Sequence, residues 1–355
     1  MELDEVLSRV AADGIEFVRF EQSDLHGISR SKTVPARHAA AFARDGLNFL
    51  LGQLGFDAQG GVAPGTPYLE TRGFPDSLLF PDPDSYAVLP WAESTARLLC
   101  TPHFFDGAPV PAAPRLAMQR VCDALADEGY LHRAGYEYEL YLVGAADRRP
   151  PFDGIQIFAT LRNNFDDAFI RRILRSMPAV GVDVITANAE YGPGQDDTTP
   201  GRLSEVGRWW VGGQLAHLPA LTAFFAPTVN CGKRFKQWSF APVNATWALE
   251  NRSVAIRVKG LDGIRNRIEP PAALDGVAYG IEGPVAIPTR LEAALDELEK
   301  DTTLRELLGE ELVATFLAVK RHEVAKAAEH VRDDGAADWL DRVDEFEIDE
   351  LFEFL

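Results

Sequence analysis

Two carboxylates stand two residues apart in Gly135–Val143, which reads GYEYELYLV: Glu137 and Glu139. In an extended strand such residues project from one face. Side by side they repel, so one is protonated unless a cation lies between them. A hard divalent ion takes oxygen ligands of this kind; the alternative is a half-exposed strand with two solvated acids. A second station is Glu190-Tyr-Gly-Pro-Gly-Gln-Asp-Asp197. Its Gly-Pro-Gly turn brings Asp196 or Asp197 back toward Glu190, as an ordinary acidic turn would also do. A third is Arg265-Asn-Arg-Ile-Glu269. Read as a strand over 263–269, it puts Arg265, Arg267 and Glu269 on one face. That pattern suits a phosphate grip beside a metal-holding acid, or a surface salt-bridge ladder.

A fourth stretch concentrates positive charge. PTVNCGKR (Pro227–Arg234) and NRSVAIR (Asn251–Arg257) carry Lys233, Arg234, Arg252 and Arg257 in a chain of net charge −19. Such a cluster fits an anionic ligand, for example a nucleotide polyphosphate. Acid clusters plus an arginine cluster are what metal-assisted phosphoryl transfer needs. No GxxxxGK[ST] sequence occurs, so the site is not of the Walker type.

These residues need elements to hold them. Residues 1–105 read as a small α+β unit: a helix over 2–12, a strand over 15–27, a Gly- and Pro-rich loop system over 55–85, and short strands in LLFPDPDSYAVLPW and ARLLCTPHF. Residues 106–355 read as helix 115–129, the Glu137/Glu139 strand, helix 166–177 and strand 182–187. Helix 203–225, strands near 239–258 and 263–269, and acidic helices over 288–331 and 337–354 follow. Strands and helices in separate blocks argue an α+β class.

The bulk properties narrow the function. A chain of 355 residues, 46% hydrophobic and 25% charged, is expected to be globular with one large domain or two. No apolar run of about 18 residues occurs, so no membrane span is expected. The strongly acidic balance speaks against a nucleic-acid partner. MELDEVLSRV reads as an amphipathic helix start and not as a signal peptide. Cys100, Cys122 and Cys231 lie far apart, which points to a reducing cytoplasm with no disulfide framework. Residues 333–355 hold ten acids and one arginine. This tail reads as an amphipathic helix docked by one face, or as an interaction segment.

In order and content these stations resemble the glutamine synthetase family. The resemblance is carried by Glu137-x-Glu139, by Glu190, Gln195 and Asp197, and by PTVNCGKR. It continues through Ala241-Pro242, NRSVAIR and Arg267-Ile-Glu269, with DLHGISRSK, FPDSLLFPDPDS, VLPW and KRHE (Lys320–Glu323) at the two ends. It spans nearly the whole chain. It implies a small N-terminal β-grasp-like domain (1–105) and a C-terminal catalytic domain (106–355) with a curved antiparallel sheet and flanking helices. It implies Mg2+ or Mn2+ and ATP as cofactors. Glu139, Glu190 and Asp197 would form one metal site, and Glu137 and Glu269 would serve a second near the ATP phosphates. Arg252, Arg257 and Arg267 would meet phosphates; Arg234 would meet the substrate carboxylate or the transferring phosphoryl group. Asp57, in GFDAQGG, matches an acid that helps bind ammonium or an amine from a neighbouring subunit. The partners implied are a small carboxylate, an amine, and other copies of the chain in a ring-shaped homo-oligomer.

The departures are as informative. Family members carry several dozen residues between the second station and the helix before PTVN, including a glutamate-binding loop and a metal-ligand histidine. Here Asp197 is followed at once by TTPGRLSEVGRWWVGGQLAHLPAL. His217 lies in the following helical pattern and does not replace that ligand. Phe240 stands where the family has a flap acid, Pro271 where it has an arginine, and Asn188-Ala189 where it has two histidines. Without buried donors to pair it, a glutamate carboxylate is left uncompensated. The resemblance therefore implies an ATP-dependent carboxylate–amine ligase other than glutamine synthetase itself. Two alternatives stand beside it: a non-ligase binding or regulatory protein, and a metal-assisted reaction on an amine or amide without ATP.

Overall fold

A computed structural model describes residues 1–69, 73–131, 140–141, 149, 157–189, 195–197, 259–272, 288 and 290–334. The N-terminal unit is a sheet backed by two helices. Helix α1 (Leu3–Ala12) buries Val6 and Val10, one turn apart. Strand β1 (Phe17–Ser23) turns into β2 (Ser29–Pro35) in antiparallel register, with Phe17 opposite Pro35 and Ser23 opposite Ser29. Asp24 closes the turn by accepting hydrogen bonds from the backbone N–H groups of His26 (2.8 Å) and Ile28 (3.0 Å). Helix α2 (Ala36–Asp45) follows, then β3 (Leu47–Leu50), β4 (Asp76–Pro81), β5 (Ala87–Val88) and β6 (Thr95–His103). The strand order is β2-β1-β6-β4-β3, with β5 beside β6 and β1 parallel to β6. Val18, Phe20, Val34, Leu79, Ala96 and Leu98 pack with α1 and α2 into the first core.

The second core is built from helices. It joins α3 (Pro114–Asp127), α5 (Leu291–Lys300), α6 (Thr302–Leu308) and α7 (Glu310–Asp334) to the segment that follows β3. Leu51, Leu54, Ala63 and Tyr68 of that segment are buried against the helices. The loop system after residue 55 is therefore packed like a core element. Helix α4 (Thr160–Ser176) begins six residues before the expected start.

Two expectations change. The acidic helix expected over 288–331 is three helices. Asp301 caps α6 by accepting from the Leu304 N–H at 2.9 Å. Gly309 then takes φ +97°, a conformation that stops α6 and lets α7 leave in a new direction. Residues 182–187 have no regular structure. The chain becomes a strand only at Asn188, because an alternating pattern forms a strand only where a neighbour pairs with it. The helix expected over 337–354, helix 203–225 with His217, and the strands near 239–258 with Phe240 lie outside the described residues.

Candidate functional site

The first two carboxylate stations meet in a small sheet. Strand β9 (Gln195–Asp197) lies between β7 (Leu140–Tyr141) and β8 (Asn188–Ala189), antiparallel to both. Asp196 is opposite Leu140 on one side and Ala189 on the other. Asp197 is opposite Asn188. Leu140 is the covalent neighbour of Glu139, and Ala189 of Glu190. Glu137, Glu139 and Glu190 themselves lie outside the described residues, as do Arg234, Arg252 and Arg257. Among the described residues no group of three or more His, Cys, Asp or Glu side chains converges as a metal requires.

The third station differs from expectation. Residues 259–266 are helical, and the strand read over 263–269 is not formed. All six residues from Lys259 to Ile264 are buried, so this part of the helix is enclosed, whereas a half-buried strand would alternate. Arg265 is the first exposed residue and pairs with Glu128 at 2.8 Å on the surface. Arg267 ends the helix with φ +48°, and Glu269 follows in exposed chain. Arg265, Arg267 and Glu269 therefore do not share a strand face. Pro271, two residues on, is also exposed. The helix is anchored by the Lys259 ammonium, which is 0% exposed and meets Asp301 at 2.7 Å.

Asp57 sits in a tight turn and is 1% exposed. Its Oδ1 accepts from the backbone N–H groups of Gly61 (2.6 Å) and Gln59 (3.1 Å). A Cβ at Gly61 would lie 2.6 Å from Asp57 Oδ2, so only glycine leaves room for the carboxylate. Oδ2 turns the other way, toward α7. It accepts from Lys326 Nζ at 3.1 Å and lies 3.8 Å from His322 Nε2.

KRHE lies in the middle of α7 and distributes its charges by helical geometry. Lys320 and Glu323, three apart, point inward and pair at 2.9 Å. Glu323 Oε1 also meets His26 Nε2 of the first hairpin. Asp24 lies behind His26 and pairs with Arg30 at 2.8 Å. Arg321 points out to Asp296 and Glu299, and His322 points toward Asp57. Burial by itself would raise the Glu323 carboxyl, but the Lys320 ammonium and His26 outweigh it and hold it at about 2. Near the top of α7 the Tyr68 hydroxyl donates to Glu311. Lys326 was not among the candidate residues. Its signal in the sequence is its place one helical turn after His322, on the same face of the helix.

One further buried acid lies on the N-terminal sheet. Glu21 is 6% exposed, between Arg97 and Arg19. Burial raises its carboxyl, with the two arginines pulling the other way. Arg97 Nη2 donates to the Val180 carbonyl at 3.3 Å, which ties this sheet to the chain after α4.

Residues 195–260 and 259–337 match the family model "Glutamine synthetase, catalytic domain". The two segments meet inside the helix at 259–266, upstream of Arg267 and Glu269. The chain is 24% identical to the gamma-glutamylanilide synthase of Acinetobacter sp, over 91% of this chain and 90% of that one. It is 24% identical to Lengsin of Mus musculus, over 90% of this chain and 74% of that one. The first of these comparisons runs over 452 residues, more than the 355 of the whole chain, so that relative carries long stretches with no counterpart here. A solved structure described as apo GmaS without ligand superposes with a TM-score of 0.77 at 22% identity, covering 98% of this chain and 99% of the other. The fold is thus of the glutamine synthetase type. No helix among the described residues is long and apolar enough to cross a membrane.

Proposed function

Because the chain is a divergent, shortened member of the glutamine synthetase family, we propose that it is an ATP-dependent ligase joining a small carboxylic acid to an amine, and not a glutamine synthetase proper. An oxygen of the acid attacks the γ-phosphorus of ATP, ADP leaves, and an acyl phosphate forms. The amine, having given up a proton, attacks the acyl carbon with its lone pair. The bond from that carbon to the phosphate oxygen breaks, and inorganic phosphate departs with the second amine proton.

Glu137, Glu139, Glu190 and Asp197 hold the metal in this reading. A set made of carboxylates fits Mg2+ or Mn2+. When bound, such an ion screens the charge on the transferring phosphoryl group. Arg252 and Arg257 face the nucleotide phosphates, and Arg234 faces the substrate carboxylate or the phosphoryl group. Asp57 is the amine-side acid. Arg267 and Glu269 have less support, since they follow a helix in exposed chain. The single observation that carries the reading is the register of β9. Asp196 lies between Leu140 and Ala189, the neighbours of Glu139 and Glu190. The name of the gamma-glutamylanilide synthase, an amide-forming enzyme, points the same way. The order β2-β1-β6-β4-β3 with β1 parallel to β6 supports a β-grasp-like N-terminal domain. A cytoplasmic, ring-shaped homo-oligomer completes the reading.

The shortening relative to its relatives favours a second reading, a binding or regulatory protein that has lost turnover. Calorimetric titration of Mg·ATP into the protein, with Glu139→Ala beside it, decides between them. Binding that the variant loses supports the ligase and justifies assaying acid–amine pairs for phosphate release. A folded protein that binds no Mg·ATP leaves the second reading.

A further inference from the structure

The first hairpin ends its core-facing side in a polar pair. Val18 and Phe20 of β1 belong to the first core, and Gln22, two residues on, shares their face. Opposite these three on β2 stand Val34, Lys32 and Arg30. Gln22 and Arg30 therefore face each other across the strand pair, with Cβ atoms about 5 Å apart. Gln22 is 3% exposed, yet neither its Oε1 nor its Nε2 has a hydrogen-bond partner among the described residues. The same is true of the buried Nη2 of Arg30. Asp24 holds the guanidinium by its other edge. Its Oδ2 takes the Arg30 Nε–H at 2.8 Å, and its Oδ1 takes the N–H groups of His26 and Ile28. All of this carboxylate is thus in use, and buried donors left unpaired beside it are costly.

We propose that Gln22 and Arg30 form a buried site for a small monovalent anion. The donor count gives the ligand class. Gln22 Nε2 carries two N–H groups and Arg30 Nη2 two more, against a single acceptor, Gln22 Oε1. That count is the same whichever way the amide is turned. Four donors and one acceptor suit a ligand that only accepts, such as a halide ion or a carboxylate oxygen. A cation would find one carbonyl oxygen beside a guanidinium and be repelled. Asp24 does not drive the anion off, because three N–H donors already take up its charge. The Arg30 side chain is 26% exposed, so the ion enters past it, and Gln22 closes the buried end. None of these residues has a part in the ligase reading. An anion bound here joins β1 to β2 just before the turn that meets α7 through His26 and Glu323. It therefore stabilises the seat of the hairpin on that helix.

The test is the melting temperature of the full chain as sodium chloride or sodium acetate replaces sodium methanesulfonate at constant ionic strength. A ligand that binds only the folded chain raises the melting temperature with the logarithm of its concentration. A rise of several degrees over a hundredfold range is expected. A response to chloride assigns a halide site; a response to acetate alone assigns a site for the carboxylate end of an organic molecule. Gln22→Glu puts a fixed negative charge in the anion's place and is expected to abolish the response. If that variant does not fold, Gln22→Leu removes the amide donors and is expected to do the same. Crystals grown with sodium bromide should give an anomalous peak within hydrogen-bond reach of Gln22 Nε2 and Arg30 Nη2. A melting temperature indifferent to the anion, with no bromide peak, means that water fills the site and overturns the proposal. A response that persists unchanged in the folded Gln22 variant overturns it too.

Discussion

His26, in the first hairpin, and Glu323, in the last described helix, share a hydrogen bond across 297 positions of sequence. Both side chains are buried, at 1% and 6% exposure. Lys320 completes the group from the helix side, at 2.9 Å from the other oxygen of Glu323. This contact fixes the N-terminal hairpin on α7. Farther along the same helix, Lys326 ties down the turn that carries Asp57.

Glu323→Gln keeps the shape of that contact and removes its charge. Lys320 is then buried without a counter-ion. Breaking a buried pair in this way costs about 3–5 kcal/mol. Urea denaturation of the variant is expected to show a lower midpoint with an unchanged slope.

Acid acts on the same residue. The Glu323 carboxyl is held at about 2 in the folded chain, below the value of roughly 4.3 for an unperturbed Glu. A depressed carboxyl stabilises the fold fully above the unfolded value and loses that contribution as pH falls through the folded value. Between pH 5 and pH 2 the wild type should therefore lose stability through Glu323, and Glu323→Gln should lose less. Melting temperatures of both proteins across that range check the slope.

Gly61→Ala tests the packing of the Asp57 turn. The added Cβ would stand 2.6 Å from Asp57 Oδ2, inside contact distance. Overpacking of this kind costs about 1–3 kcal/mol. Chemical denaturation measures it, and a loss below that range would mean the turn shifts without penalty.

Asp301 does two jobs that substitutions can separate. It caps α6 through the Leu304 N–H and neutralises the buried Lys259. Asp301→Asn retains a cap and loses the charge, while Asp301→Ala loses both. The alanine variant is expected to be the less stable of the two by about 1 kcal/mol, the worth of a capping side chain.

Arg265→Ala probes the third station. The side chain is 41% exposed and paired with an equally exposed Glu128. An exposed pair contributes about 0–1 kcal/mol. The variant should keep its stability within that range and its Mg·ATP titration unchanged. A lost titration would restore Arg265 to the phosphate site.

The local parts of the fold were legible where a pattern repeats at short range. The spacing of Val6 and Val10 reads as a helix, and the alternation of Phe17, Val18, Arg19 and Phe20 marks the strand expected over 15–27, of which Phe17–Ser23 is the paired part. The third station misled for the same reason. Arg265, Arg267 and Glu269 alternate on paper, but residues 259–264 are enclosed as one helical stretch, and burial outweighs an alternation of exposed charges. The breaks among α5, α6 and α7 turn on single residues, Asp301 and Gly309, whose roles show only in the path of the chain.

By itself the sequence determined the chemistry available: paired carboxylates, an arginine cluster in an acidic chain, and an order of motifs that resembles the glutamine synthetase family. These depend on residue type and spacing, which folding does not alter. Tertiary structure alone decided the partners. His26 with Glu323, Asp57 with Lys326, and Asp196 with Leu140 join positions far apart in sequence. Each such pairing is set by which buried charges and unpaired strands must find one another once the two cores close, a condition no local stretch encodes.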